Sequence, residues 1–335
     1  MNKMYALKKV VILIFLLMLG GACGFFYARK NSVESDLAGN GPRRISGKYK
    51  YVSPLIACNF SENKEYREYM PLEKAFQDIV QSGITDHKIE TASVYFRDLS
   101  SGRWVGLNPD QTYWPASLLK VPMLLASLNY IEEHPEFLKS AVKLVGTEDK
   151  NAGEFFSSAH HTVLGKNYTV EELLKYMSSY SDNNALIAVA SLIDHKNIDD
   201  VYTEASITIP KNQSNFPAFI SVKQYSYFFR MFYNAAYINQ IFSDYALSLL
   251  AQSDFKQGIV AGVPPEIEVA HKFGEQSLGP DQKSEKYLHD CGIVYFPNKA
   301  YLLCVMTKGT DYIDMASIIK KISAAAYAEV KRAEH

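Results

Sequence analysis

Strand-like patterns occur near both ends of the folded part of this chain, and a long helical region separates them. Residues 92–97 alternate between more and less apolar side chains, and residues 103–107 continue the pattern after a Ser-Ser-Gly turn. Close to the C-terminus, the apolar runs 292–296 and 300–307 flank a Pro-Asn-Lys turn. We therefore predict an α+β fold in which an antiparallel sheet is built from both chain ends and flanked by helices, with a helical subdomain inserted between them.

Helical patterns lie before, between and after these strands. The segment that follows Pro71 places its apolar side chains on one helical face. A capping box at 169–172 begins another predicted helix, and a final helix is expected over about 311–331. These patterns predict one folded domain over 66–335.

The composition agrees with a single folded domain. The chain has 335 residues, 47% of them apolar, and a formal net charge of −1. This is enough apolar material for one large core, and the nearly neutral charge gives no electrostatic basis for binding nucleic acid. Because His160 and His161 are adjacent, they cannot share a helical face. We interpret them as surface or loop residues and predict no metal or cofactor.

The N-terminal segment carries a targeting signal. Residues 10–28 are almost wholly apolar and follow three lysines, which predicts a cytoplasmic tip and transmembrane signal-anchor over 1–30. Residues 31–65 are predicted to form a tether. The folded domain is thus expected outside the cytoplasm, in the periplasm or at the cell surface. The alternative to a retained anchor is that the N-terminal segment is cleaved or that the chain is lipidated at Cys23.

The stretch around Ser117 combines a nucleophile with a possible base. Lys120 follows three residues later at the start of an apolar, helix-like run, so the two side chains share one helical face. A serine hydroxyl is a weak nucleophile until a neighbour takes its proton, and burial lowers the pKa of a lysine enough for it to do so. The pair predicts a nucleophilic site, although S-x-x-K alone also occurs by chance.

Two later triplets strengthen this interpretation. An S-D-N triplet at 181–183 lies at the break between two helical runs, and a K-F-G triplet at 272–274 lies in a predicted strand. In order, spacing and setting, the three stretches resemble the S-x-x-K, S-D-N and K-T-G signatures of class A β-lactamases and penicillin-binding serine hydrolases. The resemblance covers about residues 66–333. It implies a β-lactamase-like fold.

The resemblance implies a role for each matching side chain. Ser117 attacks a carbonyl carbon to form an acyl-enzyme, and Lys120 takes its proton. Ser181 relays a proton to the leaving nitrogen with help from Lys272, and Asn183 contacts either the substrate or the catalytic lysine. Without the resemblance, Ser181 and Asn183 also suit helix caps, and Lys272 also suits a solvated strand position.

The resemblance also implies substrate contacts along the strand. The backbone N–H groups of Ser117 and Glu275 are expected to hold the oxyanion, with Phe273 and Gly274 beside them. In the family a threonine or serine follows the lysine, and its hydroxyl helps to bind the substrate carboxylate. Phe273 has no hydroxyl. Because a hydrogen bond to a charged group contributes about 1.5 to 3 kcal/mol, we expect carboxylate binding to be weakened or rebuilt.

A second departure follows the S-D-N triplet. Class A β-lactamases carry an E-x-x-L-N loop whose glutamate activates the hydrolytic water. Here the corresponding segment, residues 208–217, is short and contains no carboxylate. Glu204 precedes this segment, but its surroundings do not match the motif. General-base assistance contributes about 10²- to 10⁴-fold, so acylation is expected to survive while deacylation slows.

These features predict a serine hydrolase that forms an acyl-enzyme at Ser117 with a β-lactam or a D-alanyl cell-wall peptide. The alternative is a catalytically weak, membrane-tethered sensor of penicillin or peptidoglycan. The expected partners are that substrate and, through the N-terminal helix, the membrane. Turnover separates the two functions, because an enzyme releases many products per Ser117 and a sensor at most one.

Two cysteines lie on the arms of the last predicted hairpin. A two-residue loop at Pro297 and Asn298 would place Cys291 directly opposite Cys304. The fixed φ of proline disagrees with the turns that such a loop prefers. Two interpretations therefore stay open, a disulfide and a pair of small buried side chains.

Overall fold

The structure is a computed structural model that describes residues 43–44, 49–53, 55–56, 69–212, 215–279 and 284–333. The chain divides into a unit of residues 1–44, described only at the strand Arg43–Arg44, and a unit of residues 45–335. The predicted anchor and most of the predicted tether lie outside the described residues. In the part that is described, no helix has both the length and the apolar character needed to cross a bilayer.

A five-stranded antiparallel sheet forms the centre of the larger unit. Its strands are β1 (Thr91–Asp98), β2 (Trp104–Leu107), β3 (Val269–Ser277), β4 (Lys286–Val294) and β5 (Tyr301–Gly309). Their spatial order is β2-β1-β5-β4-β3, and β1 pairs with β5 so that Val94 lies opposite Val305. The prediction of an antiparallel sheet built from both chain ends is confirmed, and β3 is left at an edge.

Helices cover both faces of the sheet. Among the described residues the α-helices are α1 (Met70–Thr85), α2 (Lys120–Glu133), α3 (Val170–Ser179), α4 (Asn183–Ala190), α5 (His195–Glu204), α6 (Val222–Tyr233), α7 (Gln240–Ala251) and α8 (Tyr312–Arg332). The first and last helices pack together on one face, as the apolar patterns predict. The other six form the inserted helical region. In the described part of the chain, 3₁₀ turns are Ala116–Leu119, Pro135–Lys139 and Ile259–Gly262. Short strands are Leu55–Ile56, Thr112–Tyr113, Ala141–Lys143, Asn167–Thr169 and Ile220–Ser221.

The sheet separates two apolar cores. One core, which includes Phe76, Leu303 and Ile319, fills the space between the sheet and the pair α1 and α8. The other lies within the helical region, around residues such as Leu124 and Phe228. Because both faces of the sheet are covered, β1 is buried at every position except its first, and polar residues on it must find internal partners.

Local signals explain several helix boundaries. Thr169 caps α3 through a complete capping box with Glu172, which confirms that prediction. Ser221 and Gln224 form a second capping box at α6. These side chains satisfy N–H groups that have no partner within their own helix.

The last hairpin pairs its two cysteines. Cys291 lies opposite Cys304 in the β4–β5 register, and the two form a disulfide. The connection between the strands, residues 295–300, is longer than the two-residue loop considered from the sequence. A longer loop removes the conflict between proline and a tight primed turn.

The chain contacts the domain before the predicted boundary at residue 66. Tyr51 and Val52 are buried in the helical core. The backbone N–H of Tyr51 donates to Asp244 Oδ1 at 2.6 Å, and that of Ser53 donates to the backbone oxygen of Tyr233 at 2.5 Å. Part of the predicted tether therefore belongs to the folded unit.

Candidate active site

Ser117 lies in the 3₁₀ turn Ala116–Leu119, and α2 begins at Lys120. The sequence predicts one helix through both residues, and the structure corrects this, because Ser117 lies on the tighter turn. The preceding Ala116 has a φ of 51°, a left-handed conformation that is strained for a residue with a side chain. The predicted pair still forms, since Lys120 Nζ donates to Ser117 Oγ at 2.8 Å.

The Lys120 amine is surrounded by oxygen acceptors. Besides Ser117, it donates to Ser181 Oγ at 3.1 Å, to the backbone oxygen of Ser181, and to Asn183 Oδ1 at 2.6 Å. The side chain is only 1% exposed. Burial lowers the pKa of Lys120 to about 8, while the nearby charges of Glu154 and Asp182 act in the opposite direction. Part of the Lys120 population is therefore a neutral amine near neutral pH and can accept a proton.

Ser181 lies between two lysines. It follows α3 with a φ of 59°, and this left-handed conformation turns the chain into α4. Lys272, from β3, donates to Ser181 Oγ at 2.8 Å and to the backbone oxygen of Phe273 at 2.7 Å. Burial and the neighbouring Lys120 both lower the pKa of Lys272. Ser117, Lys120, Ser181 and Lys272 thus form one continuous chain of hydrogen bonds.

Gly274 allows the edge strand β3 to approach the turn that carries Ser117. A Cβ atom at this position would lie 3.0 Å from the backbone nitrogen of Ser117 and 2.9 Å from that of Leu118. No side chain fits at such distances without a backbone shift. The two backbone N–H groups expected to hold the oxyanion, those of Ser117 and Glu275, belong to the two segments that meet here.

Asp182 fastens the S-D-N segment to a long loop. Its carboxylate accepts from the backbone N–H groups of Ala185 and Thr162, both at 2.7 Å, and from Asn151 Nδ2 at 3.1 Å. The Asn183 backbone N–H donates to Asn151 Oδ1 at 2.7 Å. Residues 147–162, which form one wall of the cleft, are therefore held against the centre that contains Ser181.

One acidic residue of this loop was missed by the sequence analysis. Glu154 Oε1 accepts from Asn183 Nδ2 at 2.8 Å. Burial raises the pKa of Glu154, and the charges of Lys120 and Lys272 partly offset that effect. Asn183 thus links Lys120 to a carboxylate. The only sequence signal for Glu154 is its place in a polar loop before S-D-N.

The two residues on either side of Gly274 differ in their surroundings. The Phe273 ring is 4% exposed and stacks on Phe255 with centroids 4.2 Å apart, so it lies in the core and not in the cleft. The Glu275 side chain does line the cleft, although only its backbone was assigned a role from the sequence. Its carboxylate accepts from the backbone N–H groups of Phe155 at 2.8 Å and Phe156 at 3.1 Å.

Comparison with known proteins identifies the family. A family described as "Beta-lactamase enzyme family" matches residues 71–330 of this chain. The chain belongs to this family. It is thereby a serine hydrolase of the β-lactamase and penicillin-binding type. A search of curated proteins gives no match.

Solved structures of other β-lactamase-like proteins share the fold. A mutant of PBP-A, in an acyl-enzyme complex with penicillin G, is 20% identical and superposes with a TM-score of 0.64 over 78% of this chain and 97% of that one. A β-lactamase from Sphaerobacter thermophilus is 17% identical, with a TM-score of 0.65 over 77% and 97%. A class A β-lactamase from Bacteroides cellulosilyticus is 18% identical, with a TM-score of 0.65 over 78% and 99%. At these identities the likeness shows the fold alone.

Within the β-lactamase-like fold, the segment after α5 packs an aromatic side chain against a residue that lines the cleft. Phe216 packs edge-to-face on Trp114 with centroids 5.3 Å apart, and Trp114 lines the cleft beside Ser117.

Glu204 is exposed at the end of α5 and is not among the residues that line the cleft. The cleft itself has a volume of about 1140 Å³. His160 and His161 are exposed, as expected.

Proposed function

We propose that this serine hydrolase forms an acyl-enzyme at Ser117 with a β-lactam or a D-alanyl cell-wall peptide and releases it slowly. The observation that carries the proposal is the hydrogen-bond chain from Ser117 through Lys120 and Ser181 to Lys272. This chain contains a nucleophile, a buried amine of lowered pKa and a hydroxyl able to pass on a proton, which are the groups that acylation requires. A PBP-A mutant of the same fold forms an acyl-enzyme with penicillin G, which supports the proposal by analogy.

In the proposed acylation, Ser117 Oγ forms a bond to the carbonyl carbon while its proton passes to neutral Lys120 Nζ. Negative charge then develops on the carbonyl oxygen, which the backbone N–H groups of Ser117 and Glu275 stabilise. Each donor of this kind contributes about 2.7 to 4 kcal/mol to the transition state. As the carbon–nitrogen bond breaks, Ser181 gives its proton to the leaving nitrogen and receives one from Lys120. Lys272 holds Ser181 Oγ in place throughout.

Deacylation is the step with the weaker support. Residues 208–217 contain no carboxylate, and from this segment it is Phe216 that packs on the cleft residue Trp114. Loss of a general base lowers a rate by about 10²- to 10⁴-fold. The acyl-enzyme should therefore accumulate, because its formation has the groups it needs, whereas the segment 208–217 supplies no general base for its hydrolysis.

The test is covalent labelling followed by a turnover measurement. We expect a fluorescent penicillin to label the wild-type protein and Ser117→Ala to abolish the label, with Ser191→Ala, at an exposed serine, as the matched control. A chromogenic cephalosporin should give a burst of about one equivalent and then a slow phase. Labelling that persists in Ser117→Ala would refute the nucleophile. Fast steady turnover without a burst would refute slow release.

The alternative function is a membrane-tethered sensor of penicillin or peptidoglycan, and the absence of a carboxylate in 208–217 is the observation that favours it. It predicts at most one product per Ser117, whereas a slow hydrolase continues to release product over hours.

We also propose that residues 10–28 anchor the protein with the domain outside the cytoplasm. Full-length protein in the membrane fraction would agree with this. A soluble form beginning after residue 28 would contradict it.

A further inference from the structure

Acidic side chains line the part of the cleft next to β3. Glu154, Glu275 and Asp311, which lies at the start of α8, all line the cleft. The Asp311 carboxylate is occupied in capping α8, where it accepts from two backbone N–H groups. The two glutamates are therefore the acidic groups of this part of the cleft that are placed to act on a substrate.

The carboxylate of Glu275 occupies a small anion site made by the protein itself. The consecutive backbone N–H groups of Phe155 and Phe156 both point to Glu275 Oε1. Because strand side chains alternate, Glu275 lies on the same face of β3 as Phe273, the residue that replaces the carboxylate-binding hydroxyl of the family. In the family, a hydroxyl at the position of Phe273 helps to bind the substrate carboxylate. Here that hydroxyl is missing, and the protein's own carboxylate, that of Glu275, lies two residues further along the strand.

Aromatic packing closes the space around this contact. The Phe156 ring packs edge-to-face on Phe255, with centroids 4.9 Å apart, and on Phe273 at 6.3 Å. The Phe155 ring lies 5.0 Å from that of Tyr312. The loop is therefore fastened to β3 by rings as well as by Glu275.

The electrostatic environment points in the same direction. Burial, together with the charge of Glu154, raises the pKa of Glu275 to about 7 against the opposing effect of the backbone N–H groups of Phe155 and Phe156. A substrate carboxylate placed here would meet the same burial and the same like charges. The buried amine of Lys272 donates to Ser181 Oγ and to the Phe273 backbone oxygen.

The lysines that line the cleft have acceptors within the protein. Lys150 Nζ lies 2.7 Å from Glu148 Oε2. Lys286 Nζ donates to the backbone oxygens of Thr310 at 2.8 Å and Ser284 at 3.2 Å. These contacts hold both amines against acceptors of the protein itself.

We infer that Glu275 is a specificity residue that disfavours acyl donors with a carboxylate beside the scissile amide, and that the preferred acyl donor carries a neutral or cationic group there. The inference rests on the proposed acylation of Ser117. It narrows the substrate class, because both common β-lactams and free D-alanyl termini present a carboxylate at this position.

The test compares benzylpenicillin with its methyl ester, using intact-mass measurement of the acylation rate. The readout is the acylation rate with the methyl ester divided by the acylation rate with benzylpenicillin. When this ratio is compared between two protein variants, the intrinsic reactivity of each compound cancels. Above pH 7, where the Glu275 carboxylate is charged, removing this like charge within several ångströms changes such a ratio by about tenfold, so Glu275→Gln should lower the ratio by that factor. Glu133→Gln removes a charge from the exposed end of α2, outside the cleft, and should leave the ratio unchanged.

Glu275→Asp serves as the second variant, because it keeps the negative charge while shortening the side chain. It should retain a ratio close to that of the wild type. A Glu275→Gln ratio equal to the wild-type ratio would overturn the inference, and so would a Glu275→Asp variant that behaves like Glu275→Gln. If neither compound adds mass at Ser117 in any of the proteins, the proposed acylation itself fails.

Discussion

Gly274→Ala should misplace the nucleophile without removing any catalytic group. The new Cβ atom would lie 2.9 to 3.0 Å from three backbone atoms of the segment 115–118, each about 0.4 to 0.5 Å closer than an ordinary contact at 3.4 Å. These are backbone atoms, so they cannot rotate away as a flexible side chain would. The 3₁₀ turn that carries Ser117 and the strand that carries Glu275 must move apart by a comparable distance.

A displacement of 1 Å costs about 100-fold in rate, so we expect acylation to slow by about tenfold in Gly274→Ala. The free energy of unfolding should fall by about 1 to 3 kcal/mol, as is usual for overpacking. The assays are labelling kinetics with a fluorescent penicillin and urea unfolding. In the control Gly146→Ala, the nearest atom is an ordinary 3.5 Å away, and both quantities should stay unchanged. A Gly274→Ala variant that acylates at the wild-type rate would refute the argument.

Three further predictions concern protonation, packing and the disulfide. The acylation rate should rise as the pH is raised through about 8, because only neutral Lys120 accepts the proton of Ser117; a flat profile from pH 6 to 9 would contradict this. Phe273→Thr should lower the free energy of unfolding by about 3 kcal/mol or more, because it removes a buried ring stacked on Phe255; denaturant unfolding would measure this, and an unchanged midpoint would contradict it. Reducing the disulfide between Cys291 and Cys304, which are 13 residues apart, should lower the free energy of unfolding by about 3 kcal/mol. Denaturant unfolding with and without reductant would test this.

Much of the fold can be predicted because its signals are local. The period-two patterns at 92–97 and 103–107, the turn between them and the capping box at 169–172 each depend on a few neighbouring residues. The motif residues are also recognisable from the sequence, since their spacing follows from a turn or a strand. The boundary between the 3₁₀ turn and α2 was not predicted, because the two helix types differ by a single hydrogen-bond step.

The rest of the site depends on contacts between distant segments. Glu154 lies in a loop without apolar periodicity, and only its contact with Asn183 places it in the centre. The side chain of Glu275 could be assigned only after the loop carrying Phe155 was placed against β3. Tyr51 and Val52 lie in a short segment with no regular structure, so their burial follows from a groove formed by later residues.

The pairing of β1 with β5 affects how the protein is made. The strand at the centre of the sheet is the last to be synthesised, so the nascent chain holds β1 and β4 with unpaired edges until residues 301–309 emerge. Sheets closed by such distant strands fold slowly, and open strand edges invite aggregation. The sheet can therefore close only once residues 301–309 are available. Covalent labelling at Ser117 would then report the arrival of the final strand as well as the chemistry.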